Sequence, residues 1–197
     1  MIFINIALVL GAAYLAGSVH FGLLAGKVAG INIREGGSGN VGTTNVFRLM
    51  GWRWGVLVFI LDTAKGYLPV LLVLRFTGSP TLTVLSAGAA ILGHTFSVWL
   101  RFKGGKGVAT GLGTIIALTL PLALLAFLIF GLVLAVGRIV SVASLTAIGA
   151  LWIAILATKQ PLAYVTFVTM GAVLITYAHR SNIRRLFKGT ENRIGGK

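Results

Sequence analysis

The 197-residue chain contains no cysteine, which excludes disulfides and thiolate metal sites. Acids are almost missing as well, since Glu35, Asp62 and Glu191 are the only three. They lie far apart in sequence, so neither a carboxylate dyad nor a carboxylate-rich metal cage is expected. Charged residues of both signs make up 10% of the chain, against about 25% in soluble domains. That is too little for the charged shell of a soluble domain. What is present is apolar and basic: 57% hydrophobic residues and 17 Lys and Arg, for a net charge of +14. The high aliphatic content excludes disorder. The composition specifies an all-α, polytopic membrane protein whose chemistry runs on cations, hydroxyls, amides, three histidines and the backbone. Neither a metal nor a cofactor is expected.

A transmembrane helix needs about 20 apolar residues. Candidate spans are Ile2–Val28, Trp54–Phe76, Thr81–Leu100, Val142–Ala157 and Leu162–Ala178. The apolar stretch Val108–Val136 carries Pro121 near its middle and reads as two short helices of about 14 residues each, roughly 21 Å long. Charge placement favours that division, because short loops rich in Lys and Arg stay cytoplasmic. With seven spans and the N-terminus outside, segments 31–53, 101–107, 137–141 and 179–197 are cytoplasmic and hold 13 of the 17 bases. With six spans, Arg138 and the basic tail fall on the wrong side. The first helix lacks a basic leader and a cleavage site, and reads as a retained span. No internal repeat is evident, so residues 1–197 are expected to form a single membrane domain.

Three polar segments fall on the cytoplasmic face of this topology. The first, 34–48, packs four glycines and five Ser, Thr or Asn residues into 15 positions. Gly37, Gly39 and their neighbours let backbone amides approach an anion. Ser38, Asn40, Thr43 and Asn45 add uncharged donors, and Arg48 offers a bidentate fork for phosphate. In the second, Lys103-Gly104-Gly105-Lys106-Gly107 runs into an apolar helix carrying Thr110, which suits a phosphate at a helix N-terminus. It is no Walker A loop, because the first glycine is missing and Gly107 stands where Ser or Thr belongs. In the third, His179, Asn182 and Arg184 or Arg185 recur at helical spacing on a basic, amphipathic segment suited to anionic lipid. Arg138 and Ser141 are candidates for the same face. Inside the second span, Asp62 and Lys65 stand three apart and are placed to pair. His20 is expected to bond another helix, and His94 to support the lysine loop.

Taken together, Gly37-Ser-Gly-Asn-Val-Gly-Thr-Thr-Asn45 with Arg48, Lys103-Gly-Gly-Lys-Gly-Val-Ala-Thr110, and His179-Arg-Ser-Asn-Ile-Arg-Arg-Leu with Gly189 and Glu191 resemble the bacterial acyl-phosphate:glycerol-3-phosphate acyltransferases, the PlsY family. The match runs along essentially the whole chain; Val41 and Thr43 depart from it, standing where Pro and Ala are common. The resemblance implies acyl transfer from acyl phosphate to the 1-hydroxyl of glycerol 3-phosphate, giving lysophosphatidic acid and phosphate at the inner membrane, the first step of bacterial phospholipid synthesis. It further implies that Ser38 and Arg48 are essential and that the second motif binds glycerol 3-phosphate through Lys106. His179 and Asn182 are implied in activity, and Glu191 in structure.

A scarcity of acids suits two phosphorylated substrates, since carboxylates would repel them and pair off the bases. Acyl phosphate is already activated, so no covalent enzyme intermediate is expected. The His-x4-Asp motif of other glycerolipid acyltransferases is absent, because His20, His94 and His179 are followed by Ala25, Trp99 and Arg184. The base is therefore either His179 or the substrate's own phosphate, with a second pKa of ~6. Membrane lipids are the other expected partners; nucleic acid and an obligatory protein partner are not. The rival reading is a transporter or channel for a phosphate-containing anion. Reporter fusions at the C-terminus check the topology: a cytoplasmic signal is expected, and an external one contradicts the seven-span order.

Overall fold

The computed structural model describes residues 5–195, so the expected start of the first span at Ile2, and Lys197 in the basic tail, lie outside it. The described residues form helices, with no strand among them, joined by short turns except for the longer segments 29–42 and 96–107. They divide into two compact units, Met1–Leu118 and Thr119–Lys197.

The first unit contains α1 (Ile6–Ser18), α2 (Phe21–Val28), α3 (Thr43–Met50), α4 (Trp52–Thr77), α5 (Pro80–Thr95), the 3-10 turn Val98–Leu100 and α6 (Val108–Leu118). Local chemistry sets the ends. Asn5 caps α1 by accepting from the amides of Ala7 and Leu8 at 3.1 and 3.4 Å. Ser79 caps α5 ahead of Pro80, a residue suited to the first turn. Gly51, at φ +81°, turns the chain from the short α3 into α4.

The expected first span is broken: α1 and α2 meet at a 40° bend around Val19–His20. A break inside a membrane frees backbone carbonyls that no water can satisfy. Side chains from two other parts of the unit take them. The Ser18 carbonyl accepts from Ser97 Oγ at 3.0 Å and lies 2.8 Å from His20 Nδ1. Lys65 Nζ donates to the Val19 carbonyl and pairs with Asp62 Oδ1 at 2.8 Å. Asp62 and Lys65 therefore form the expected pair, buried in α4, and the lysine also closes the break.

Glycine sets how closely the helices approach. In α1 and α5, a Cβ at Gly17 would stand 2.0 Å from the Ala90 carbonyl oxygen, and one at Gly93 would stand 2.1 Å from that of Tyr14. The α4–α6 contact repeats the arrangement, with Gly66 against Thr110 O at 2.1 Å and Gly113 against Thr63 O at 2.0 Å. Small residues at such crossings let helix backbones touch where lipid supplies no hydrophobic drive for association.

The second unit contains α7 (Leu120–Gly137), α8 (Val140–Ala157), α9 (Leu162–Ala178) and α10 (Arg180–Phe187). On α7, Leu124, Leu128, Leu132 and Val136 form an exposed stripe at spacing four, and Val136 is 89% exposed. An apolar stripe turned outward suits a lipid-facing helix. The stretch 108–136 is broken as expected, but unequally: Thr119 separates an 11-residue α6 from an 18-residue α7. Pro121 explains the position, since it fits the first turn of α7 and would disrupt a continuous helix.

By length and composition, four helices among the described residues are able to cross a membrane, and six if the bent pairs α1–α2 and α9–α10 each count as one span. The seventh expected span is α6, roughly 16 Å long against a ~30 Å hydrocarbon core. Gly113→Ala is expected to lower the unfolding free energy in detergent by ~1–3 kcal/mol through overpacking against Thr63. Gly131→Ala, with no atom within 4 Å of the new methyl, is expected to leave the melting temperature unchanged or raise it.

Candidate functional site

The first motif forms a loop wrapped around one amide. Asn45, in the first turn of α3 and 1% exposed, donates from Nδ2 to the carbonyls of Ile33 and Gly36 at 2.7 and 3.2 Å. Its Oδ1 accepts from the Ser38 amide at 2.8 Å. Asn45 thus folds the loop, a different task from the phosphate contact expected of it. Gly37 must be glycine on two counts, with φ +61° and the place of its Cβ only 2.3 Å from Asn45 Oδ1. Asn40 Oδ1 accepts from the Gly42 amide at 2.9 Å and shapes the entry to α3. Folded in this way, the loop leaves Ser38 and Gly39 exposed. Thr43 Oγ1 is buried at the helix start without a hydrogen-bond partner, and Arg48 lies on the same helix, half-buried.

The second motif is built by folding the chain back. Arg101 and Phe102 both take left-handed backbone conformations, with φ of 50° and 62°. After this reversal, the Gly104 amide donates to the Thr95 carbonyl and the Gly105 amide to the His94 carbonyl, each at 3.0 Å. The loop lies on two stacked imidazoles, His20 and His94, whose centroids are 5.0 Å apart. A Cβ at Gly105 would stand 2.2 Å from His94 Nε2, and one at Gly104 would stand 2.1 Å from the His94 carbonyl oxygen. These two glycines are therefore needed for packing, quite apart from any ligand. Gly107, at φ +78°, then turns the chain into α6. Lys103 is exposed and Lys106 half-buried on this loop. Thr110 is fully buried in the α4–α6 contact against Gly66, away from the loop surface. The expected support from His94 is present, and His20 does bond another helix, its Nε2 lying 3.1 Å from the His94 carbonyl.

The third motif, in the second unit, is organised by Glu191. The chain bends 56° between α9 and α10, and His179 at the bend is 2% exposed. Its Nδ1 lies 2.8 Å from the Ile175 carbonyl. A carbonyl only accepts, so this contact calls for a proton on Nδ1. Helix α10 ends in a Schellman turn: Gly189, at φ +68°, donates to Leu186 O, and Thr190 donates to Arg185 O. The turn brings Glu191 back along the helix. Its Oε1 accepts from Asn182 Nδ2 at 2.6 Å and from Ser141 Oγ at 2.9 Å. Its Oε2 accepts from Arg185 Nε at 2.7 Å. The Ile194 amide then reaches the Arg138 carbonyl at 2.7 Å. Of the two arginines left open by spacing, Arg185 joins the cluster. Asn182 gives an N–H to Glu191 and keeps a buried Oδ1 without a partner, so the atom it has left over is an acceptor as well as its second N–H.

The histidine stack and the packing role of Gly104 and Gly105 were not readable as such. The only signal was His94 standing within reach of the lysine loop in sequence.

The helices and loops describe a multi-span membrane protein that presents glycine-shaped polar turns and retained cations on an otherwise apolar chain. The model of the glycerol-3-phosphate acyltransferase family matches residues 7–189. A glycerol-3-phosphate acyltransferase from Geotalea daltonii is 47% identical over 95% of this chain and 96% of its own. One from Thermus thermophilus is 44% identical over 93% and 92%. The crystal structure of PlsY, an integral membrane glycerol 3-phosphate acyltransferase, in its glycerol 3-phosphate form superposes with a TM-score of 0.93 at 39% identity, covering 97% of this chain and 96% of that one. Its lysophosphatidic acid form gives a TM-score of 0.91. The chain belongs to the glycerol-3-phosphate acyltransferase family.

Burial pushes the Glu191 carboxyl up, but hydrogen bonds from Asn182, Arg185 and Ser141, with the Arg185 charge, outweigh it and hold the group below its ordinary value of 4.5. A carboxyl depressed on folding stabilises the fold above its ordinary value, and that contribution fades as pH falls through the folded value. Exchange protection of the Ile194 amide is therefore expected to hold above pH 4.5 and to decline in more acid solution. In Glu191→Gln it is expected to be low throughout.

Proposed function

We propose that this protein transfers an acyl group from acyl phosphate to the 1-hydroxyl of glycerol 3-phosphate, forming lysophosphatidic acid and inorganic phosphate. The observation that carries the reading is the Lys103–Gly107 loop, pinned to the backbone of α5 and opening directly into α6. A helix N-terminus joined to Lys106 favours a phosphate dianion, and family membership supplies the substrate. Glycerol 3-phosphate and lysophosphatidic acid are what the similar PlsY structures are described as holding.

The reaction needs no covalent enzyme intermediate. The 1-hydroxyl oxygen attacks the acyl carbonyl carbon, the bond from that carbon to the phosphate oxygen breaks, and phosphate leaves with the bonding pair. The hydroxyl proton passes to the phosphate of glycerol 3-phosphate, a base of pKa ~6 already held beside it. His179, buried at the α9–α10 bend with its Nδ1 on the Ile175 carbonyl, orders that bend and contacts substrate. Ser38 and the glycine amides of the first motif stabilise the developing oxyanion, and Arg48 binds the departing phosphate. Lys106, with Lys103 and the loop amides, holds the phosphate of glycerol 3-phosphate. Asn182 and Arg185, ordered by Glu191, contact substrate, with Arg138 and Ser141 bordering their cluster. The protein sits in the bacterial inner membrane with these segments at the cytoplasmic face, and neither a metal nor a protein partner takes part.

Detergent-purified protein given acyl phosphate and glycerol 3-phosphate is expected to form lysophosphatidic acid, and acyl-CoA in place of acyl phosphate is expected to give none. Product from acyl-CoA alone would contradict the donor assignment. Lys106→Ala is expected to raise KM for glycerol 3-phosphate ~10–100-fold, the loss of one charge-assisted contact. His179→Ala is expected to lower kcat by less than the ~10² that marks a general base; a larger fall with unchanged substrate binding would return the proton to the histidine.

A further inference from the structure

The imidazole of His20 stands at the junction of two structures. On one side is the break between α1 and α2, and on the other is the glycine loop. Nδ1 lies 2.8 Å from the Ser18 carbonyl and Nε2 lies 3.1 Å from the His94 carbonyl. Both oxygens only accept, so a neutral ring donates to one of them at a time. The two have different needs. The Ser18 carbonyl already accepts from Ser97 Oγ. The His94 carbonyl accepts the Gly105 amide, and a second donor fixes its direction and hence the height at which the loop sits. The ring of His20 is 6% exposed, stacked on His94, and its Nε2 would stand 3.1 Å from a Cβ on Gly104. It thus bounds the loop from beneath as well as tying down its anchor. The residue before it, Val19, is held by Lys65, itself fixed by Asp62. The ring therefore rests on a backbone clamped from α4.

We propose that His20 is a positioning residue for glycerol 3-phosphate binding, its Nε2 holding the His94 carbonyl on which Gly105, and through it Lys106, is registered. The proposal rests on the reading that this loop binds the phosphate of that substrate. His20 touches no reacting atom. Its effect is on the geometry of the loop before substrate arrives, so it acts on the affinity for glycerol 3-phosphate and leaves the acyl donor and the chemical step alone.

Two substitutions separate this task from closure of the helix break. In His20→Asn the side-chain amide reaches the place of Nδ1 and keeps the contact to Ser18 while giving up His94. In His20→Gln the amide reaches the place of Nε2 and keeps the contact to His94. Steady-state kinetics on both variants, with acyl phosphate saturating, are expected to show KM for glycerol 3-phosphate raised ~10-fold in His20→Asn, the loss of about one hydrogen bond. In His20→Gln it should stay within ~2-fold of the parent, with kcat and KM for acyl phosphate unchanged in both. Hydrogen exchange without any substrate supplies the independent arm: the Gly104 and Gly105 amides should lose protection in His20→Asn and keep it in His20→Gln. Equal behaviour of the two variants, a worse defect in His20→Gln, or unaltered loop protection in His20→Asn would overturn the proposal. So would failure of His20→Asn alone to accumulate as folded protein, which would mark the contact as structural. Were the parent protein inactive toward glycerol 3-phosphate, the proposed function would fall, while the exchange arm would still decide whether His20 registers the loop.

Discussion

Every backbone group freed inside a membrane must find a partner within the protein, and here that requirement is met with very few polar residues. The break at Val19–His20 concentrates the problem. Its carbonyls are taken by Lys65 and Ser97, which ties the middle of α4 and the segment after α5 to the first helix pair. The same break reaches the glycine loop, because His20 and His94 lie directly under Gly104 and Gly105. Closing a helix break and supporting the glycine loop are therefore one construction. The ion pair of Asp62 and Lys65, read from sequence as placed to pair, is the buried end of it.

Glycine has two distinct uses in this chain. At Gly37 and Gly107 it supplies a left-handed backbone, shaping turns that no other residue adopts cheaply. At Gly17, Gly66, Gly93, Gly104, Gly105 and Gly113 it removes a side chain that would strike a carbonyl oxygen or an imidazole. The second use dominates in the helices and extends into the second motif. Glycines in a phosphate loop invite the reading that the backbone must approach the ligand, and in Gly104–Gly105 the approach the structure displays is to the protein itself. Both uses leave amides in fixed directions, which is the preorganisation an anion site requires.

The class of fold was legible from composition and spacing, since apolar runs of the right length and basic loops leave few alternatives. The break before Pro121 was legible for the same reason, but its inequality was not, because helix ends depend on capping at Thr119 and on packing that periodicity does not carry. The glycine-rich and basic make-up of the polar segments was legible; the division of labour inside them was not. Asn45 and Ser38 look alike as donors in a line of letters, yet one is spent folding the loop and the other is presented by it. Asn182, Ser141 and Arg185 meet at Glu191 across 50 residues of sequence, a convergence that no local pattern encodes. The three acids were conspicuous by their scarcity. The structure gives two of them partners that explain their retention: Asp62 holds Lys65, and Glu191 holds the third motif together.

The loop between α5 and α6, opening into the α6 N-terminus, is proposed to hold the substrate phosphate. A crystal structure of this protein with glycerol 3-phosphate tests it most directly. Phosphate density against Lys106 and the amides around Gly107–Val108, with His20 and His94 still stacked beneath Gly104 and Gly105, is the predicted result. A phosphate seated away from this loop, with Lys106 making no contact to it, would overturn the assignment of the loop.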